Sequence, residues 1–121
     1  MKDLRSVCIV AGVVAALAIA VVHADMTAHW ELHADFDDRS IPGAFAECML
    51  KQEGERLTGR CEAATLAGDV KGDAVTWRVT LGGGTHDVVV FTGMLDDDGA
   101  VVLGRFSYAG KGGGSFLALK R

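Results

Sequence analysis

Apolar and polar residues alternate with a period of two along most of the chain from Trp30 onward, and this alternation is what most restricts the fold. A period of two is typical of a β-strand with one buried face, whereas helices place apolar residues three or four apart. Two clear examples are Trp30, Leu32, Ala34 and Phe36, and Val75, Trp77, Val79 and Leu81. No segment after residue 24 has the spacing of a long helix.

Turn-forming residues interrupt this alternation at regular intervals, from Ser40-Ile41-Pro42-Gly43 to the glycine-rich stretch 110–114. Together the two patterns predict eight strands, near residues 29–37, 44–52, 56–62, 67–72, 74–82, 87–95, 100–108 and 114–120. Short turns make successive strands antiparallel neighbours, and closing the sheet removes its two exposed edges. We therefore predict an all-β fold, an eight-stranded antiparallel up-and-down β-barrel preceded by an N-terminal signal helix.

A glycine recurs inside several of these strands, in the arrangement apolar-x-Gly-x-apolar. The examples are Leu57-Gly59-Cys61, Phe91-Gly93-Leu95, Val102-Gly104-Phe106 and the shorter Val70-Gly72. Because each glycine shares a face with large apolar residues, that face is predicted to be the barrel interior. Glycine there leaves room on a crowded wall and lets the strand bend.

The first 24 residues have the features of a secretory signal peptide. Lys2 and Arg5 precede the apolar run from Val7 to Val22, and small residues end at Ala24, where cleavage is predicted. The run of 16 residues is shorter than the roughly 20 needed to span a bilayer. We predict residues 1–24 as a signal peptide, residues 25–121 as a single β-barrel domain, and a secreted or periplasmic protein with no stable membrane span after cleavage.

Charge and cysteine content narrow the function of the mature domain. Cleavage removes two basic residues and one acidic residue, which takes the net charge from −4 to −5, so nucleic acid is not an expected partner. Cys48 and Cys61 remain and are predicted to form a disulfide in an oxidising compartment. A turn at Gly54-Glu55 places them directly opposite each other, and a turn at Glu53-Gly54 places them one diagonal step apart.

Three features resemble the calycin group of small barrels, which includes lipocalins and avidins: Trp30 early in the first strand, "LTG" at 57–59, and Trp77 on a central strand. "LTGRCE" is similar to the "LTG-x-aromatic" strand of avidin-type proteins. Ala28 replaces the usual glycine two residues before the first tryptophan, and Cys61 replaces a ligand-contacting aromatic. The resemblance therefore implies the fold, and biotin binding is not carried over.

The barrel interior provides the candidate ligand-binding residues. They are Trp30, Phe36, Trp77, Phe91, Phe106 and Tyr108. A barrel of eight strands either fills with side chains or holds one small ligand, and both alternatives stay open at this stage. Because few inward positions are polar, any ligand is expected to be mostly apolar.

The outer face of the last three strands is unusually apolar for a surface. Its residues include Val88, Val90, Met94, Leu103, Leu117 and Leu119, and they predict a homo-oligomer that associates through this face. The alternative is a bulge that shifts the register and turns these residues inward.

Neither metal binding nor catalysis is predicted. His29, Glu31, His33 and Asp35 share one face, but His29 and His33 are about 13 Å apart on a strand, too far to share one zinc ion. The mature serines are Ser40, Ser107 and Ser115, and nothing in the sequence joins them to His86 in a triad.

From the sequence we therefore expect a secreted or periplasmic binding protein that holds a small apolar ligand in the barrel, and neither an enzyme nor a cofactor protein. The alternative is a protein-interaction module, such as a periplasmic protease inhibitor or a structural envelope protein.

Overall fold

The structure is a computed structural model that describes residues 25–82 and 87–121, and it confirms the predicted fold class. Eight antiparallel strands follow one another in chain order, and β8 pairs with β1 to close a barrel. They are β1 (Ala28–Phe36), β2 (Ala44–Glu53), β3 (Arg56–Cys61), β4 (Ala64–Lys71), β5 (Ala74–Thr80), β6 (Val88–Leu95), β7 (Val101–Tyr108) and β8 (Gly112–Lys120). The predicted signal peptide and His86 lie outside the described residues.

Two strands begin earlier than the sequence predicts. β4 begins at Ala64, because Glu62 and Ala63 form a tight turn without glycine or proline, and Glu62 adopts a φ of 53°. β8 begins at Gly112, because the glycines expected to form a turn pair with the end of β7 instead.

The strands are staggered, so a row of inward side chains spirals from one end of the barrel to the other. The row runs through Phe36, Gly114, Phe106, Phe91, Trp77, Gly68, Leu57 and Gln52, each directly opposite the next. Gln52 accepts a hydrogen bond from the Met26 N–H. The row that starts at Phe36 therefore returns to the N-terminal segment at Met26, ten residues before Phe36. A stagger of this kind accompanies the strand tilt that closes a barrel.

Inward glycines are needed where neighbouring strands come closest. A Cβ on Gly104 would lie 2.5 Å from the Cα of Gly93 and would overlap the Thr92 carbonyl oxygen. A Cβ on Gly93 would lie 3.0 Å from the ring of Phe116, so an aromatic side chain already occupies that space. The inward glycines thus allow close backbone approach, and they do not by themselves leave a void.

The prediction for Gly72 was wrong. Its φ is 62°, it lies in the turn between β4 and β5, and a Cβ there would meet nothing within 4 Å. Gly68 is the inward glycine of β4, where a Cβ would lie 2.5 Å from the Cα of Trp77. Gly72 follows the buried Val70 by two residues, so the sequence has the spacing of the strand repeat even though Gly72 belongs to a turn.

The predicted disulfide joins Cys48 on β2 to Cys61 on β3, with an S–S distance of 2.02 Å. The two cysteines are directly opposite each other, so the turn lies at Gly54-Glu55, the first of the two frames considered from the sequence. Both are buried, and Trp30 lies directly opposite Cys48 on the other side. The bridge therefore faces the interior.

We predict that Gly104→Ala lowers the free energy of unfolding by about 3 kcal/mol, because the added methyl group would press on the backbone of β6. Gly110→Ala is the matched control: it places a methyl group in open space at a φ of 84° and should cost about 1 kcal/mol. Urea unfolding of both variants measures the difference. Equal stability of the two variants would contradict the close-approach explanation.

Candidate functional site

The two ends of the barrel are built differently, because an up-and-down chain places alternate connections at opposite ends. One end carries the tight β2–β3, β4–β5 and β6–β7 turns, and the segment before β1 covers it. Met26 in that segment is fully buried, and its carbonyl accepts the indole N–H of Trp30 at 2.9 Å. We call this the closed end.

The opposite end contains a cavity of about 740 Å³ that opens outward; we call this the open end. Its walls are mostly aliphatic and aromatic, and they include Leu32, Phe36, Val79, Val89, Phe91 and Phe106. Cys61 of the disulfide also lines it, and Tyr108 lies at the mouth. The volume falls within the range of about 300–1,000 Å³ that is usual for small-molecule pockets.

Four of the six ligand-binding candidates from the sequence line this cavity, namely Phe36, Phe91, Phe106 and Tyr108. Trp77 lies deeper, where its ring centroid is 5.7 Å from that of Phe91. Trp30 is near the closed end. Because the row of inward residues spirals, side chains of one row end up at different depths, which the sequence pattern alone does not reveal.

Six aromatic side chains, namely Phe36, Tyr108, Phe106, Phe91, Trp77 and Phe116, form one connected cluster from the mouth to the middle of the barrel. Phe36 contacts Phe106 with ring centroids 5.0 Å apart, and Phe91 contacts Phe116 at 5.1 Å. These separations match favourable edge-to-face packing. The sequence left open whether side chains fill the interior or leave room for a ligand. Both apply in part, because side chains pack the middle of the barrel and a cavity occupies the open end.

Trp77 carries a buried polar atom without a partner. Its indole Nε1 has no hydrogen-bond acceptor among the described residues, and the side chain is buried. Such a group costs about 1–3 kcal/mol relative to a satisfied one. The Trp77 ring packs on Phe91, which lines the cavity.

Hydrogen bonds and an ion pair hold two parts of the mouth in place. The Glu62 carboxylate accepts the Glu47 N–H at 2.9 Å, and the Glu62 N–H donates to the Glu47 carbonyl at 3.0 Å. These two hydrogen bonds fix the β3–β4 turn to β2. Elsewhere on the rim, the Arg105 guanidinium donates two hydrogen bonds to the Asp37 carboxylate and links the β1–β2 connection to β7.

Sequence reasoning missed several residues of the site. Leu32, Val79 and Val89 share the inward face with the predicted aromatics, and the position of Val79 and Val89 near strand ends is the signal that places these two towards the mouth. Glu62 carries no comparable signal, because its role depends on a turn that lacks the usual turn residues.

Three of the four acidic and imidazole side chains of β1, namely His29, Glu31 and His33, contact a titratable neighbour. His29 Nε2 lies 2.7 Å from a carboxylate oxygen of Glu47, and His33 Nε2 lies 3.7 Å from Glu31. Within residues 25–82 and 87–121, no three histidine, cysteine or acidic side chains are grouped to hold a metal ion. The same residues contain no helix that is long and apolar enough to cross a membrane.

Comparisons with protein-family models, with curated proteins and with solved structures found no match to this chain. The eight-stranded antiparallel barrel is consistent with the calycin-like fold that the sequence resembles. Membership of that group stays a prediction.

The Arg105–Asp37 pair leads to a prediction about pH. The hydrogen bonds from Arg105, and secondarily its charge, lower the pKa of Asp37 below its ordinary value of 3.8. A lowered pKa favours the folded state above the ordinary value, and this contribution is lost as the pH falls through the pKa of the folded protein. Carboxyl NMR titration of Arg105→Gln should show the Asp37 pKa rising towards 3.8.

Asp38 is the internal control for this titration. Its pKa is also lowered, but by hydrogen bonds from Ser40, which the substitution leaves intact. An unchanged Asp37 pKa in Arg105→Gln, or an equal rise at both carboxylates, would contradict the assignment.

Proposed function

We propose that this protein is a small binding protein of the secreted or periplasmic space that holds an apolar small molecule in the open half of its barrel. The observation that carries the proposal is the cavity of about 740 Å³, whose walls are aliphatic and aromatic. Burial of apolar ligand surface contributes about 25 cal/mol per Å², so a ligand with a few hundred Å² of surface gains enough to offset the cost of association.

The disulfide supports the proposed location. Disulfides persist in oxidising compartments and are rare where thiols are kept reduced. Cys48 and Cys61 form a buried bridge, and the apolar run from Val7 to Val22 has the features of a secretion signal. Both features fit a protein that works outside the cytoplasm.

Filling the cavity tests the proposed function. Val89 faces the cavity and its neighbour Val90 faces outward on the same strand, so Val89→Trp and Val90→Trp form a matched pair. We expect N-phenyl-1-naphthylamine to become fluorescent with the unaltered protein and with Val90→Trp. Val89→Trp should bind it at least tenfold more weakly, because the indole occupies the ligand volume.

Circular dichroism and thermal unfolding show whether both variants keep the barrel. The proposal fails if the unaltered protein gives no saturable fluorescence with this probe. It also fails if folded Val89→Trp binds the probe as well as Val90→Trp does.

A second candidate function, a protein-interaction module, is favoured by the outer wall. Val101 lies opposite Leu119 and Leu103 lies opposite Leu117, which gives a two-by-two apolar block on β7 and β8. Leu103 is 59% exposed, and the adjoining Met94 on β6 is 58% exposed. The pairing of β6, β7 and β8 runs without a bulge, so these side chains do face outward, as do Phe45 and Met49, which the sequence analysis did not single out.

We propose a second copy of the chain as the occupant of this block. A two-fold interface brings the same patch from both copies together. The block is symmetric because each apolar residue on β7 has an apolar partner directly opposite on β8. A two-fold axis parallel to the strands therefore places Leu103 of one copy on Leu117 of the other, and Val101 on Leu119. No charged side chain lies within the block, which avoids repulsion between like charges.

Leu103→Glu is expected to convert a dimer into a monomer in sedimentation velocity, because it buries a carboxylate in an apolar contact. Thr58→Glu, at an exposed outward position on β3, is the control and should leave the dimer intact. A strict monomer at high concentration of the unaltered protein would rule out this association.

A further inference from the structure

We propose that the cavity selects uncharged ligands and excludes anions of the same size and shape. The inference rests on the proposed function and adds a chemical class for the ligand. A carboxylate or sulfonate on an otherwise suitable apolar molecule should prevent its binding, whereas a neutral amine, hydroxyl or ether should not.

The charges of the cavity lining carry this inference. Within the described residues, no lysine, arginine or histidine lines the cavity, and Glu62 is the one charged residue that does. The remaining polar lining residues, Thr65, Thr80 and Tyr108, are uncharged hydroxyls. An anion that enters would therefore lose its hydration without gaining a cationic partner, and unpaired charges are costly to bury.

The position of Glu62 adds repulsion at the mouth. Its backbone N–H and its carboxylate both bind Glu47, so the negative charge stays at the rim. The wall beyond it is aliphatic and aromatic, and among the described residues it holds no cation that would offset this charge. Repulsion and the lack of a partner thus act in the same direction.

The basic residues near the open end do not provide a counter-charge inside. Arg105 is paired with Asp37, and Arg39 is an exposed residue of the β1–β2 connection that does not line the cavity. The Lys111 ammonium lies 5.8 Å from the centre of the Tyr108 ring, but Lys111 is exposed and outside the lining.

A matched pair of probes tests the inference. N-Phenyl-1-naphthylamine and 8-anilino-1-naphthalenesulfonate share one aromatic skeleton and differ by a sulfonate group. Titrations are carried out at about pH 8, well above the ordinary histidine pKa of about 6.5. Only fluorescence that Val89→Trp abolishes is counted, so that probe bound to the outer wall is excluded. We expect the neutral probe to bind at least tenfold more tightly.

Two substitutions identify the cause of the selectivity. Glu62→Gln keeps an oxygen that accepts the Glu47 N–H but removes the charge, and it should reduce the ratio of the two affinities at least threefold. Lys111→Gln should leave the ratio unchanged. Equal affinity for both probes, or binding of the sulfonate that is lost in Lys111→Gln, would overturn the inference while leaving the proposed function standing. Binding of neither probe would overturn both.

Discussion

Close approach between neighbouring strand backbones is the constraint on which the rest of the barrel depends. Eight strands close around a small interior only with a strong stagger, and the row of inward residues shifts by ten positions on the way round. Where strands come closest, at Gly59, Gly68, Gly104 and Gly114, any Cβ would overlap the adjacent backbone. The glycines that recur in the strands are the consequence of closure, and large side chains beside them fill the interior.

The same stagger explains why one molecule has a packed half and a hollow half. Trp77 and Phe116 lie deep in the barrel and pack together with ring centroids 5.6 Å apart. Towards the open end several inward positions carry smaller residues, such as Ala34, Ala64 and Val89, which leaves room for the cavity. Met26 is buried at the opposite end, where its carbonyl accepts the indole N–H of Trp30.

Strand number, strand order, the barrel and the disulfide could be predicted from the sequence, because period-two alternation, short turns and cysteine spacing are local signals. The depth of each inward residue could not, because it depends on stagger summed over eight strands; Trp77 and Phe36 share a row yet lie at different heights. The β3–β4 turn was not predicted for a different reason. Glu62 adopts the left-handed conformation that is usual for glycine or asparagine, so the sequence shows no turn-forming residue there.

The glycines at which any Cβ would overlap a neighbouring strand also restrict how the pocket can change in evolution. Phe116 packs on Phe91 of the cavity lining and would lie 3.0 Å from a Cβ on Gly93, so the packed region next to the cavity cannot be reshaped one residue at a time without disturbing its neighbours. The rim positions Ala44, Ala63 and Ala64 border the cavity without that restraint. Descendants of this chain should therefore acquire new ligand preferences through changes at the entrance, with the base of the pocket inherited almost unaltered.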